Sequence, residues 1–313
     1  MNDKIHLVSI IIPTYKGEKT ITILIKELIE ILKDVNFEIL VINDDSPDET
    51  HKKLLELQNS NPEILTYIKL AKNVGEYNAV MAGLRNCKGD IAIIVDDDLQ
   101  HPPSEIFKLI KFSKISDYDV VYTKFKNYNY SLIRSILSKF YNFTANIALN
   151  KPSDIYLSSF KSIKRKIINE IIQYEGNYAF IDGLIFSTTK NVGTLEVNHE
   201  KRKVGSSGYS IKKFAIHYGN LILNFSVLPL RIFFVFGLII SLISFISLLF
   251  IIYEKINEPN IPIGYPTLIA AIVLFSGIQI LFLGLIGEYL GKILKIINKD
   301  KQYIIDLIKK NLK

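Results

Sequence analysis

The sequence predicts an α/β domain with a largely parallel sheet, continued by an amphipathic helix and two membrane-crossing helices. Three observations lead there. Short runs rich in Ile, Val and Leu alternate with helical periodicity through residues 1–210, the pattern of crossovers between parallel strands. Three of those runs stop on polar or acidic residues, so their chemistry collects at one edge of the sheet. Ile232–Tyr253 and Pro259–Gly287 contain no charged residue. About 20 apolar residues cross the hydrocarbon of a bilayer, and a core helix that is apolar on every side would be unusual.

Val8–Ile12 is a strand ending at Pro13-Thr14-Tyr15. After Lys16-Gly17-Glu18 a helix carries Ile21, Leu24, Ile25, Leu28, Ile31 and Leu32 on one face. Phe37–Ile42 is a second strand, and it ends at Asn43-Asp44-Asp45-Ser46-Pro47-Asp48, a good helix start. Leu65–Lys69 is a third, after which Asn73-Val74-Gly75-Glu76 leads into a helix through Ala79, Val80, Ala82, Gly83 and Leu84. Ile91–Val95 is the fourth, and it stops on Asp96-Asp97-Asp98, Gln100 and His101 before Pro102-Pro103 opens another helix. Adjacent carboxylates repel one another. A cation among them is one explanation, and hard oxygen donors at alternate positions suit Mg²⁺ or Mn²⁺. An acidic turn capping the next helix is the other. Asp45 is open in the same way, between a site role and a turn role. No Gly-x-Gly-x-x-Gly follows the first strand and no Gly-Lys-Ser/Thr loop occurs, which argues against dinucleotide and P-loop sites.

The one cysteine, Cys87, can form no intramolecular disulfide, which fits a reducing compartment, and Met1–His6 is too short and polar for a cleavable signal. Lys201, Arg202, Lys203, Lys212, Lys213 and Arg231 precede the first apolar stretch. Lys292, Lys295, Lys299, Lys301, Lys309, Lys310 and Lys313 follow the second, while the loop between holds only Glu254, Lys255 and Glu258. The positive-inside rule therefore places the N-terminal domain and both termini in the cytoplasm. A net charge of +7 then means attraction to anionic lipid rather than to nucleic acid. Ile211, Phe214, Ala215, Tyr218, Leu221, Ile222 and Phe225 share one helical face, suited either to the bilayer interface or to packing on the globular domain. Gly277, Gly284 and Gly291 recur every seven residues, and Gly287 and Gly291 make a Gly-x-x-x-Gly, a stripe that permits close packing and a homo-oligomer. The expected organisation is a domain over 1–210, a juxtamembrane helix over 211–231, two spans over 232–290 and a basic cytoplasmic tail over 291–313.

Pro13-Thr14-Tyr15, Val41 through Asp48, Asn73-Val74-Gly75 and Asp96-Asp97-Asp98-Leu99-Gln100 together resemble a family 2 glycosyltransferase of GT-A fold. Asp98 through Pro103, Ser159-Phe160-Lys161, Arg202 through Tyr209, Pro229-Leu230-Arg231 and Gly287-Glu288-Tyr289-Leu290-Gly291 resemble its polyprenyl-phosphate branch, akin to dolichyl-phosphate mannose synthases and bacterial undecaprenyl-phosphate sugar transferases. The resemblance implies an inverting, metal-dependent transfer of a sugar from a UDP-, GDP- or dTDP-linked donor to a polyprenyl phosphate at a bacterial inner membrane. It implies Asp96, Asp98 and Gln100 as ligands of Mg²⁺ or Mn²⁺. It implies a nucleotide site of Pro13, Tyr15, Glu18, Asn43, Asp44, Asp96 and Lys124, and an acceptor-phosphate site of Arg134, Ser138, Arg202, Ser207 and Tyr209. Asp96, Asp98, Arg134 and Arg202 are the implied catalytic set. As isolated residues, the cations read more readily as solvated surface, and only the resemblance lifts Arg134 and Arg202 above that.

Three departures stand out. Lys16-Gly17 replaces a frequent Asn-Glu, which moves the expected nucleotide contact to Glu18. Lys161 stands where arginine is common and loses the bidentate fork. Asn43 takes the place of an aspartate. On an extended backbone Asp97 points away from Asp96 and Asp98, so it receives no ligand role, and Asp97→Ala is expected to be milder than Asp98→Ala. A phosphomonoester carries about −1.5 to −2 charge near neutral pH and is already a nucleophile, so no general base is required and Asp182 is read as structural or acceptor-positioning. Two alternatives remain at this level: a membrane transferase acting on a sugar hydroxyl, whose processive forms usually carry Gln-x-x-Arg-Trp where this chain has no Trp, and a non-catalytic nucleotide-binding membrane protein.

Overall fold

The computed structural model describes residues 7–125, 146, 149, 151–152, 154–198, scattered positions between 235 and 257, 264–297 and 301–311. β1 (Val8–Thr14) lies near the middle of an eight-stranded sheet of order β7-β5-β6-β4-β1-β2-β3-β8. The four strands expected from the sequence are there and parallel: β1, β2 (Phe37–Asn43), β3 (Leu65–Leu70) and β4 (Ile91–Ile94). β5 (Val120–Phe125) and β7 (Val192–Val197) pair in parallel, and β6 (Lys161–Lys164) runs antiparallel between β4 and β5.

Every residue of β1 and β2 is buried, because both faces of the sheet are covered, and this is why these strands read as continuous apolar runs. Alternation along the strand then sorts side chains between two cores. Val8, Ile10, Ile12, Ile39, Val41, Ile91 and Ile93 pack under α1 (Ile21–Ile31), α2 (Thr50–Ser60) and α4 (Pro103–Ile115). Ile11, Leu40, Ile42, Ala92 and Ile94 pack under α3 (Glu76–Asn86), α5 (Arg165–Ile171) and α6 (Ile181–Thr188). α1 alone buries Ile21, Leu24, Ile25 and Leu28, the stripe read from its periodicity, each worth roughly 1.5–3 kcal/mol of burial.

The C-terminal tail departs from expectation. Instead of lying as a basic tail at the membrane surface, Ile305–Lys309 forms β8, antiparallel to β3, with Tyr67 opposite Lys309 and Lys69 opposite Leu307. A register shift at Lys69/Leu70 lets Ile305 and Ile308 share one core while Leu307 joins the other. Polar contacts fix both flanks. Gln302 donates to the carbonyls of Tyr174 and Gly176, and the Lys69 ammonium lies 2.8 Å from Asp306. The Asn311 amide N–H donates to Thr66 (3.0 Å), its side chain donates to Glu38 (3.1 Å), and Lys88 donates to its side-chain oxygen (3.1 Å). A short alternation of charged and apolar residues suits an edge strand whose open side carries charge.

No helix long and apolar enough to cross a membrane is established among the described residues. The region of the first expected span is described only at scattered positions. In that of the second, α7 (Tyr265–Ile297) runs unbroken for 33 residues, with several side chains outside the described set. The juxtamembrane helix expected over 211–231 lies outside the described residues.

Glu38 is buried and accepts from Ser9 (2.6 Å), the Lys88 amide (2.6 Å) and Asn311. Asn311→Ala should therefore destabilise the domain by about 1–3 kcal/mol in chemical unfolding, the range for a buried polar group left short of a partner. An unchanged unfolding midpoint would mean that the tail contributes nothing to the sheet.

Candidate active site

The loops after β1, β2 and β3 meet at the carboxyl edge of the sheet, and Asp44 joins them. Its backbone N–H donates to Thr14 O (2.9 Å), and its two carboxylate oxygens accept the amides of Val74 (2.7 Å) and Gly75 (2.9 Å). Gly75 sits at φ +87°, a conformation that glycine adopts without strain, immediately before α3. Burial raises the Asp44 pKa, the two amides oppose that, and Asp45 adds to it. Asn43 is 0% exposed; its side-chain oxygen accepts the Ser46 amide (2.9 Å) and its nitrogen donates to Tyr67 (3.2 Å), so it shapes the turn from inside.

Tyr15, 47% exposed, stands open beside buried Pro13, with the Lys16 ammonium 5.4 Å from its ring centroid. Glu18 faces α2 instead, accepting the Glu49 amide (3.3 Å) at its carboxylate and Lys53 (2.6 Å) at its carbonyl. Lys124 is exposed near the end of β5, in register with Glu196 of β7.

β4 ends at Ile94, and the acids lie beyond it in a turn where Leu99 takes φ +59°. The extended backbone that was to turn Asp97 away is therefore not there. The three carboxylates diverge. Asp96 accepts from Ser159 (2.6 Å) and lies 3.8 Å from His101, Asp97 accepts from Thr14, and Asp98 accepts the Gln100 amide (3.1 Å). Gly17 makes the Asp97 contact possible, since a Cβ there would collide with the Thr14 hydroxyl and come within 2.6 Å of the Asp97 carboxylate. Burial lowers the His101 pKa against the pull of Asp96 and Asp98, and its ring packs edge-on against Phe160 at 4.6 Å.

Among the described residues, no three His, Cys, Asp or Glu side chains form a closed metal cage. The donors present do fit an open site for a hard cation. Asp96, Asp98 and Gln100 are partly exposed oxygen donors, and Mg²⁺ or Mn²⁺ bound through one or two carboxylates takes its other ligands from phosphate and water.

The inner wall was less legible from sequence. Lys161, opposite Ile94 in β6, is buried in an ion pair with Asp182 of α6, and Tyr122 donates to the same Asp182 oxygen (2.8 Å). Burial first, then the Asp182 charge, pushes the Tyr122 pKa well up, so the phenol stays protonated and donating. Asp182 thus holds Lys161 inside the wall. Glu76, the first residue of α3, was missed as a site residue because an acid in the first turn reads as an ordinary helix start. It is exposed in the crevice, within electrostatic reach of Asp96, Lys161, Asp182 and Asp97. Arg134, Ser138, Arg202, Ser207 and Tyr209 lie outside the described residues.

Residues 9–172, more than half of the chain, match the model of the glycosyl transferase family 2 domain. The chain belongs to that family. It is a glycosyltransferase, and residues 228–293 of the transferase match a second model, the GtrB C-terminal hairpin. It is 30% identical to an undecaprenyl-phosphate 4-deoxy-4-formamido-L-arabinose transferase of Proteus mirabilis over 98% of this chain and 95% of that one. The transferase of the same name from Pectobacterium carotovorum is 29% identical, over 97% and 94% of the two chains. Among solved structures, the glucosyl-3-phosphoglycerate synthase of Mycobacterium tuberculosis in complex with Mn²⁺, UDP and glucosyl-3-phosphoglycerate aligns with TM-score 0.52 at 13% identity, over 70% of this chain and 78% of that one. At that identity the likeness establishes the fold, a mostly parallel α/β sheet of GT-A type.

Because Asp97 braces the end of β1 through Thr14, Asp97→Ala in the transferase should lose at least about tenfold in activity, as for a lost hydrogen bond to a charged group. Thr14→Val should reproduce most of that loss. Initial rates near wild type for both variants would show that the contact is incidental.

Proposed function

We propose that this transferase moves a sugar from a nucleotide donor to a polyprenyl phosphate, in bacteria undecaprenyl phosphate, with inversion at the anomeric carbon. The observation that carries the proposal is the likeness to undecaprenyl-phosphate sugar transferases over 98% of the chain, through the hairpin as well as the α/β domain. The open Tyr15 ring and the Asp44 loop offer the base a slot, and Asp96, Asp98 and Gln100 stand where a donor diphosphate and its cation would lie. The bound Mg²⁺ or Mn²⁺ supplies charge that stabilises the departing nucleoside diphosphate. The acceptor is an anion of about −1.5 to −2 charge and attacks without a general base. Asp182 agrees with that chemistry, since its carboxylate is taken up by Lys161 and Tyr122. A single displacement at the anomeric carbon inverts it.

Arg134, Ser138, Arg202, Ser207 and Tyr209 are proposed to hold the acceptor phosphate, and residues 232–290 to form the two-helix membrane hairpin. The strand pairing β3–β8 supports an even number of crossings, because it returns the chain after α7 to the side of the membrane that holds the domain. The hairpin is proposed to sit in the bacterial inner membrane with both termini cytoplasmic, and its glycine stripe to support a homo-oligomer.

Purified full-length protein in detergent, given undecaprenyl phosphate, Mg²⁺ or Mn²⁺ and a panel of labelled UDP-, GDP- and dTDP-sugars, should form a labelled lipid with at least one donor. EDTA should abolish the product and excess metal restore it. No labelled lipid from any donor, or full activity in EDTA, would overturn the corresponding part of the proposal. Asp182→Asn should lower thermal stability, since it leaves the Lys161 charge buried without its counter-ion, while the folded enzyme keeps most of its kcat. Near-complete loss of kcat in a protein of wild-type stability would instead make Asp182 the base.

A further inference from the structure

We infer that Glu76 is a specificity residue of the transferase, contacting the sugar of the donor and selecting a neutral or amino sugar over a uronic acid. The inference deepens the function proposed above and rests on it. Glu76 differs from every other acid at this edge in having no hydrogen bond or ion pair among the described residues, although it is exposed to the crevice. Asp44 accepts from the amides of Val74 and Gly75, Asp96 from Ser159, Asp97 from Thr14, Asp98 from the Gln100 amide, and Asp182 from Lys161 and Tyr122.

Its position is fixed from both sides. The Asp44 clamp sets the residue before it, and two residues on, Asn78 donates to the Asn177 carbonyl (3.2 Å) and accepts the Ala179 amide (3.3 Å). Tyr77 packs edge-on against Tyr178 and Phe180, tying the start of α3 to the loop that leads into Asp182. Glu76 therefore stands within reach of both the acids after β4 and the Lys161–Asp182 wall. Donor and acceptor phosphates are both anionic and gain nothing from a carboxylate. The base belongs at Tyr15. What remains is the hydroxyl-rich sugar, whose O–H or N–H groups donate to a carboxylate. The charges that Glu76 meets are Asp96, Asp97 and Asp182 against Lys161, which Asp182 already pairs, so a second carboxylate on the sugar is repelled.

The test uses full-length enzyme in detergent with undecaprenyl phosphate and the nucleotide series that supports transfer, carrying in turn a neutral hexose, an amino hexose and a hexuronate. The free nucleoside diphosphate serves as a sugar-free binding probe. For the best donor, Glu76→Ala should lose about 10- to 100-fold in kcat/KM, the range for a hydrogen bond to a charged group, with Glu76→Gln intermediate. Affinity for the nucleoside diphosphate should stay within about twofold, and Glu76→Gln should raise the relative use of the hexuronate. Wild-type kcat/KM for every sugar in both variants would overturn the inference. So would an equal loss of diphosphate affinity, which would mark a structural role. Absence of lipid product from the wild-type enzyme with every donor would instead sink the functional proposal itself.

Discussion

The candidate active edge depends on one carboxylate that ties its loops together. Asp44 is buried at the end of β2, and by accepting two successive amides it fixes where the chain after β3 turns into α3. Its own amide binds β1 at Thr14, whose hydroxyl reaches Asp97 in the turn after β4. Three strand ends are thus held by a relay of short polar contacts at the point where the sheet stops supplying backbone partners. A helix start with oriented amides is a natural seat for such an anion, and here the protein fills it with its own aspartate.

With that relay in place, the charges of the crevice fall into two groups. Acids that face solvent in part, Asp96 and Asp98, are left with coordination capacity for a cation. The buried pair Lys161–Asp182 is closed on itself and on Tyr122. Lysine suffices at 161 because its partner is one carboxylate oxygen in a tight interior, where a point charge serves and a planar fork is not required. An Asp182 engaged in this way agrees with an acceptor that brings its own negative charge.

Much of this was readable in the residues. β1 to β4 and their order follow from apolar runs separated by amphipathic helices, and the polar strand ends identified the edge that matters. What local pattern left unread shares a cause. Asp97 was placed by strand alternation, but the backbone leaves the strand at Ile94 and turns through a left-handed Leu99, and such a turn has no periodicity to read. Asn43 and Asp44 look alike from sequence, yet one is sealed inside the turn and the other clamps a helix, a difference set by contacts with Tyr67 and Gly75 far along the chain. β6, β7 and β8 are short, and β8 pairs with a strand more than 230 positions earlier, so local pattern carried little sign of them.

That last pairing also fixes the order in which the enzyme is completed as it is made. β3 emerges from the ribosome long before β8, and between them lie Ala71 through Ile304, including both uncharged stretches, Ile232–Tyr253 and Pro259–Gly287. At ~5–20 residues per second, the outer edge of β3 stays unpaired for on the order of tens of seconds. Throughout that interval its amides and carbonyls are a template for any passing strand. The sheet closes only after residues 71–304 have been made, so the last strand of the chain completes a catalytic domain whose first strand was laid down at its start.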